Sequence, residues 1–198
     1  VSAALKHEEL SDNDEATNDW AAVLRTWQEL DLPDGWKAEI ADGGIRLAPP
    51  PSCPHNSIAN RVHKALVRGL PDDWGIYQTL GLEVCGEERL YVPDLLVVPD
   101  EIVAESTKRV LSAHALLAVE ITSKGNAAAD RTAKRDAYAR GGVDVYLLID
   151  GWHEPWPRVT VYSEPVDGDY QYSVTKPFGE TIHVPKPIDL SLDTSRFH

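Results

Sequence analysis

Apolar residues recur along this chain at two periods, and the alternation of those periods lays out the elements. Trp20, Val23, Leu24 and Trp27 fall at i, i+3, i+4 and i+7, with Leu30 extending the stripe. That spacing predicts a helix capped by Thr17 or Asn18, its two tryptophans facing the core rather than forming a binding platform. Residues 36–40 and 45–47 flank Asp42-Gly43-Gly44 and predict a hairpin. Pro49, Pro50 and Pro51 then break regular structure. Ile58, Val62, Ala65 and Leu66 form the next helical stripe, over about residues 55–69, with Gly69 and Pro71 suited to its end. Residues 74–84 read as one strand kinked at Gly81, turning at Gly86-Glu87-Glu88 and returning as a partner strand over 91–98. The polar segment 99–113 predicts a loop or short helix.

The run 115–121 is apolar on both faces, as expected of a fully buried central strand. A helix over about 127–140, a stop at Gly141-Gly142 and a further apolar run to Ile149 follow it. Strand, helix and strand predict a right-handed crossover with the two strands parallel. Residues 152–157 read as a loop, and short strands are expected over 159–162, 170–174 and 181–184, with a hairpin turn at 166–169. No repeat or interior linker interrupts the pattern. The expected organisation is a poorly ordered acidic lead-in, residues 1–15, followed by a single domain over 16–198.

Within that frame one residue stands out. Glu120 is a lone carboxylate inside the buried run, and an unpaired buried charge costs several kcal/mol or more. It requires a cation, a set of hydrogen-bond donors or a metal ion. Asp94, behind Pro93, lies at the mouth of the neighbouring apolar run 95–98. Asp130, Lys134 and Tyr138 are spaced i, i+4, i+8 and share one face of the following helix. Two carboxylates and a lysine on adjoining elements are the parts of a metal-dependent phosphodiesterase, since Mg²⁺ and Mn²⁺ prefer carboxylate, carbonyl and water oxygens. The backbone carbonyl of Ile121 is a candidate third ligand. Glu39 either points into the site as a further acid or stays an exposed strand residue, the latter being commoner. His55, at a helix start, either contacts substrate or metal-bound water or serves as a plain surface residue.

Charge and composition narrow the function classes. The net charge of −13 excludes a protein that coats nucleic acid by bulk attraction. Residues 1–39 carry ten acids against three bases, whereas 124–140 carry five bases against two acids, so the cations gather beside the candidate site. A solvated helix face explains that gathering about as well as a phosphate-binding surface does. No run approaches the roughly 18 apolar residues of a membrane span, and no secretory pattern is visible. Cys53 and Cys85 are too few for a disulfide framework or zinc set and fit a reducing cytoplasm.

The order Val92-Pro93-Asp94, Val119-Glu120-Ile121-Thr122-Ser123 and Asp130-x-x-x-Lys134-x-x-x-Tyr138 resembles the restriction-endonuclease-like superfamily, PD-(D/E)xK. More narrowly it resembles the endonuclease branch called the Uma-two family, over roughly residues 20–190. The resemblance implies an α/β (α+β) fold, a mixed β-sheet flanked by helices with additional antiparallel strands. It implies Asp94 and Glu120 as metal ligands and Lys134 as the catalytic lysine, moved from the superfamily's usual position, which Thr122 occupies here, to the next helix. Asp130 and Tyr138 would orient Lys134. Lys124 stands where the family commonly has proline and is either a second cation near the phosphate or a loop lysine. The expected function is a Mg²⁺- or Mn²⁺-dependent nuclease acting on nucleic acid, DNA before RNA, in the cytoplasm, off the membrane, with homodimer formation as the superfamily often shows. The competing expectation is a non-catalytic interaction or regulatory module on the same fold.

Overall fold

The computed structural model describes residues 12–106 and 108–197, with side chains from Asp19 onward. Its framework is a six-stranded mixed sheet in the order β11-β10-β9-β8-β6-β3. Its strands are β3 (Trp74–Tyr77), β6 (Leu95–Pro99), β8 (Leu117–Ile121), β9 (Val145–Asp150), β10 (Arg158–Val166) and β11 (Asp169–Pro177). Only β8 and β9 pair in parallel; the other neighbours are antiparallel. A second, five-stranded sheet runs β2-β1-β5-β4-β7, from β1 (Lys37–Ala41), β2 (Gly44–Ala48), β4 (Gly81–Glu83), β5 (Leu90–Tyr91) and β7 (Arg109–Leu111). β12 (Thr181–Val184) and β13 (Leu190–Asp193) form a separate hairpin. The expected mixed sheet with helices and extra antiparallel strands is what the chain adopts.

The alternation of side chains along β8 decides where the chemistry goes. Leu117, Val119 and Ile121 face α2 (Cys53–Gly69) and pack with Ile58, Val62 and Leu66. Ala118 faces the opposite way, toward Ala137 and Tyr138 of α5 (Arg135–Arg140). Glu120 shares the Ala118 face, so the pleat of a fully buried strand aims it at the helical connection. That connection is not one regular helix. It runs as α4 (Ala127–Ala129), a π-helical turn over Asp130–Lys134, and α5. The single helix expected over 127–140 is thus interrupted, yet Asp130, Lys134 and Tyr138 still share its buried face.

Several expectations about the periphery are corrected. α1 (Asp12–Glu29) starts before the cap expected at Thr17 or Asn18, so residues 12–15 of the lead-in are helical; residues 1–11 lie outside the described residues. Trp27 does face the core, packing on Ile40 and Leu90 and donating its indole N–H to the Ala38 carbonyl at 2.7 Å. The strand expected over 74–84 is two strands in different sheets. Thr79 takes a positive φ of 59°, and Gly81 passes so close to Trp27 that a Cβ would lie 2.9 Å from Cη2. The return strand over 91–98 also divides, into β5 and β6, at Pro93, which has no N–H to give a ladder. The segment 99–113 holds α3 (Asp100–Ala104) and β7, and β7 and β13 were not expected at all.

Candidate functional site

Four carboxylates converge where the two sheets meet. Glu120 and Asp130 come from β8 and the π turn, Asp94 from the bend just before β6, and Glu39 from β1. Lys134 sits among three of them. Its Nζ is 2.8 Å from Glu39 Oε1, 2.9 Å from Glu120 Oε1 and 3.5 Å from Asp130 Oδ1. It also lies 5.3 Å from the centroid of the Tyr91 ring, a favourable place for a cation. Tyr138 donates its hydroxyl to Glu120 Oε1 at 2.7 Å. The Glu39 carboxylate accepts the Val92 N–H at 3.0 Å, which ties β1 to the Pro93–Asp94 corner.

Asp94 is held by a different set. Lys37 Nζ is 2.8 Å from Oδ1, while His55 Nε2 at 3.0 Å and the Ile121 N–H at 2.8 Å reach Oδ2. Lys37 and Glu39 alternate along β1 and so share a face. His55 is positioned by the start of α2, where Ser52 caps the helix and accepts the His55 N–H. The Val119 carbonyl accepts from the Asp94 N–H. Two residues further on, Ile121 points the same way beyond the end of β6, with its N–H taken by Asp94 and its carbonyl turned into the same gap.

The electrostatics are unbalanced. Four carboxylates face two lysines, with His55 beside Asp94. Burial, added to the negative charges of Asp130, Asp94 and Glu39, pushes Glu120 up to about 8 against the pull of Lys134. Burial likewise raises Asp130 to about 6, and both its oxygens are buried without a hydrogen-bond partner among the described residues. For Lys134 burial alone would favour the neutral amine, but Glu120, Glu39 and Asp130 override it and hold the ammonium well above its ordinary value. Asp94 is kept well below the carboxylate range, because the His55 hydrogen bond and Lys37 together outweigh its burial.

These groups open on a cavity of about 660 Å³. Lys37, Glu39, His55, Asp94, Glu120 and Lys134 line one end of it. Lys124 is exposed in the turn after β8 and reaches the rim, as its loop position suggested. Beside the site, Asp150 at the end of β9 accepts from Thr122 at 3.1 Å and from Arg131 at 2.7 and 2.9 Å. Thr122 therefore braces the strand end instead of entering the acidic cluster.

The donor set suits a hard divalent cation: two carboxylates and a backbone carbonyl, with Glu120 Oε2 free of any protein partner among the described residues. Among those residues no three His, Cys, Asp or Glu side chains are grouped to hold a metal. Mg²⁺ commonly uses only one or two carboxylates and completes its shell with water and phosphate, so the residues present fit it.

The residues expected from sequence are thus brought together: Asp94, Glu120, Asp130, Lys134 and Tyr138, with Glu39 and His55 joining them. Glu39 turns inward, against the commoner expectation for such a residue. Lys37 was missed, although its i, i+2 relation to Glu39 on one strand was a readable signal.

The profile of the Uma2 family, described as "Putative restriction endonuclease", matches residues 24–195. Among solved structures, the chain resembles a "putative nuclease belonging to DUF820" from Anabaena variabilis at 18% identity and a TM-score of 0.70, over 88% of this chain and 98% of that one. That likeness establishes a shared fold. No curated protein matches the chain. With the family profile spanning nearly all of its length, the chain belongs to the Uma2 family.

Proposed function

We propose that this chain is a nuclease that hydrolyses phosphodiester bonds, DNA in preference to RNA, with Mg²⁺ or Mn²⁺ at the Asp94–Glu120 pair. The observation that carries this reading is the cluster of four carboxylates around two lysines, open to a cavity of about 660 Å³. Asp94, Glu120 and the Ile121 carbonyl would hold the cation, which when bound would activate water and offset charge on the phosphate. Lys134, kept protonated, acts as a hydrogen-bond donor and positive charge toward the developing phosphorane oxygens, not as a base. Tyr138 fixes Glu120 through Oε1 and leaves Oε2 for ligation. Asp130 and Glu39 hold the Lys134 ammonium in place. His55 and Lys37 set the Asp94 carboxylate.

This reading carries a single domain over residues 16–198, a cytoplasmic setting consistent with Cys53 and Cys85 both being free thiols, and assembly as a homodimer. Among the described residues no helix is long and apolar enough to cross a membrane.

A second reading has one observation in its favour. Both oxygens of Asp94 and one of Glu120 are already held by protein donors, as in a non-catalytic interaction or regulatory module whose carboxylates pair internally. Thermal denaturation with Mn²⁺ separates the two. An ion at 100 times its Kd stabilises by about 2.7 kcal/mol, which for a chain of this size raises Tm by roughly 5–10 °C. The nuclease reading expects that rise in wild type and its loss in Asp94→Asn. No rise in wild type favours the module.

A further inference from the structure

The cavity of about 660 Å³ is lined by more than the acidic cluster. Apart from the charged cluster, Ile58, Trp152, Pro157, Phe178 and Phe197 give it an apolar wall, with Ser123, Lys124 and Asn126 also among its lining. Phe178 and Phe197 pack edge to face there, with ring centroids 5.5 Å apart. Trp152 is 54% exposed, so its indole surface is open to a ligand. Its backbone N–H is held at 3.3 Å by Asp150, the same carboxylate that braces Thr122 and Arg131. The aromatic end is therefore anchored to the strand ends that carry Glu120 and Ile121.

The cations tell the same story from the other side. The basic segment 124–140 has little charge to offer a duplex backbone. Arg131 is paired with Asp150, Arg135 with Asp136, Arg140 with Glu87, and Lys134 with the acidic cluster. Among the described residues of that segment, Lys124 is the basic side chain with no ion pair. On a chain of net charge −13, bulk phosphate attraction cannot supply affinity, and stacking can.

We propose that the apolar end of the cavity, with Trp152 as its open face, holds an unpaired nucleobase next to the phosphodiester, so that the preferred ligand is single-stranded DNA rather than duplex. This rests on the nuclease reading for the position of the phosphate but not for the base pocket itself. A base inside a duplex cannot enter a walled cavity without leaving its stack, whereas a base in a single strand is already free to do so.

The test is fluorescence anisotropy with a labelled single strand, the same strand in a duplex, and a matched strand whose central positions are abasic, in EDTA and separately with Ca²⁺. Proteins are wild type, Trp152→Ala and Trp156→Ala; Trp156 is 59% exposed in the same loop but lies outside the cavity. Wild type should bind the single strand at least about tenfold tighter than the duplex. Trp152→Ala should weaken single-strand binding about 5–150-fold, the range for one base stacked on an aromatic ring. Trp156→Ala should leave it unchanged, and the abasic strand should bind wild type and Trp152→Ala alike. Equal or tighter duplex binding, an unaffected Trp152→Ala, an equal loss in Trp156→Ala, or no binding under either condition overturns the proposal. Trp152-dependent binding without cleavage under any metal would sink the nuclease reading and leave the base pocket standing. Cleavage that ignores Trp152→Ala would do the reverse.

Discussion

Replacing Lys134 by methionine removes the one positive charge shared by three carboxylates while keeping most of the side chain's volume. In the native protein that ammonium is only 6% exposed and lies 2.8, 2.9 and 3.5 Å from Glu39, Glu120 and Asp130. Removing one partner of a buried ion pair costs about 3–5 kcal/mol. For a chain of 150–250 residues that corresponds to a fall in Tm of roughly 6–20 °C. The loss depends on pH, with a definite sign. Glu120 and Asp130 already have raised values because burial and neighbouring carboxylates penalise ionisation, and losing Lys134 raises them further. A group raised in the folded state stabilises below its unfolded value, and that contribution fades as pH rises through the folded value. The variant therefore recovers at pH 5, where protons replace the missing cation, and is worst at pH 8. Urea denaturation followed by circular dichroism in EDTA, at both pH values, reads this directly. Lys37→Met is the comparison: Asp94 keeps His55 and the Ile121 N–H, and the loss should stay near the 1.5–3 kcal/mol of one hydrogen bond to a charged group. A loss for Lys134→Met of less than about 1 kcal/mol at pH 8, the scale of an exposed pair, would refute the reasoning. So would a loss that does not change with pH.

Other outcomes follow from the same cluster and its frame. In wild type without metal, the contributions of Asp130 and Glu120 fade as pH rises through about 6 and about 8, so Glu120→Gln should flatten the upper part of the pH–Tm curve. Because a cation binds the ionised carboxylate, the Mn²⁺-induced rise in Tm should grow between pH 6 and 8.5, and a rise that shrinks over that interval would contradict the ligand assignment. Gly81→Ala places a Cβ 2.9 Å from the Trp27 ring, and denaturation should show a loss of about 1–3 kcal/mol with no change in metal response.

How much of this was readable in the residues differs from one part of the site to another. Glu120 was legible because a carboxylate in an otherwise apolar strand has few ways to exist, and the period of two then fixes its face. The parallel β8–β9 pair was legible from one uninterrupted apolar run, a helical segment and a second run. Lys134 was legible as part of a spaced helix face, although the π turn that carries it has no signature in the residues 127–140. That Lys37 and His55 hold Asp94 while Glu39 holds Lys134 was not legible, since it depends on how the β1–β2 hairpin and the start of α2 approach β6 and the π turn. No local pattern encodes that approach. β7 and β13 escaped for a related reason: they are three- and four-residue strands with mixed polarity, and pairing partners rather than their own periodicity make them strands. The division at Thr79 shows tertiary context overriding a run that reads as continuous, whereas the division at Pro93 follows from the proline itself.

The most direct measurement is cleavage of supercoiled DNA, single-stranded DNA and RNA with Mn²⁺, Mg²⁺ or EDTA, by wild type beside folded Glu120→Ala and Lys134→Ala. DNA cleavage should require the metal and disappear in both variants. Cleavage that survives in EDTA or in Glu120→Ala, or its absence from wild type under every metal, would contradict the proposed function.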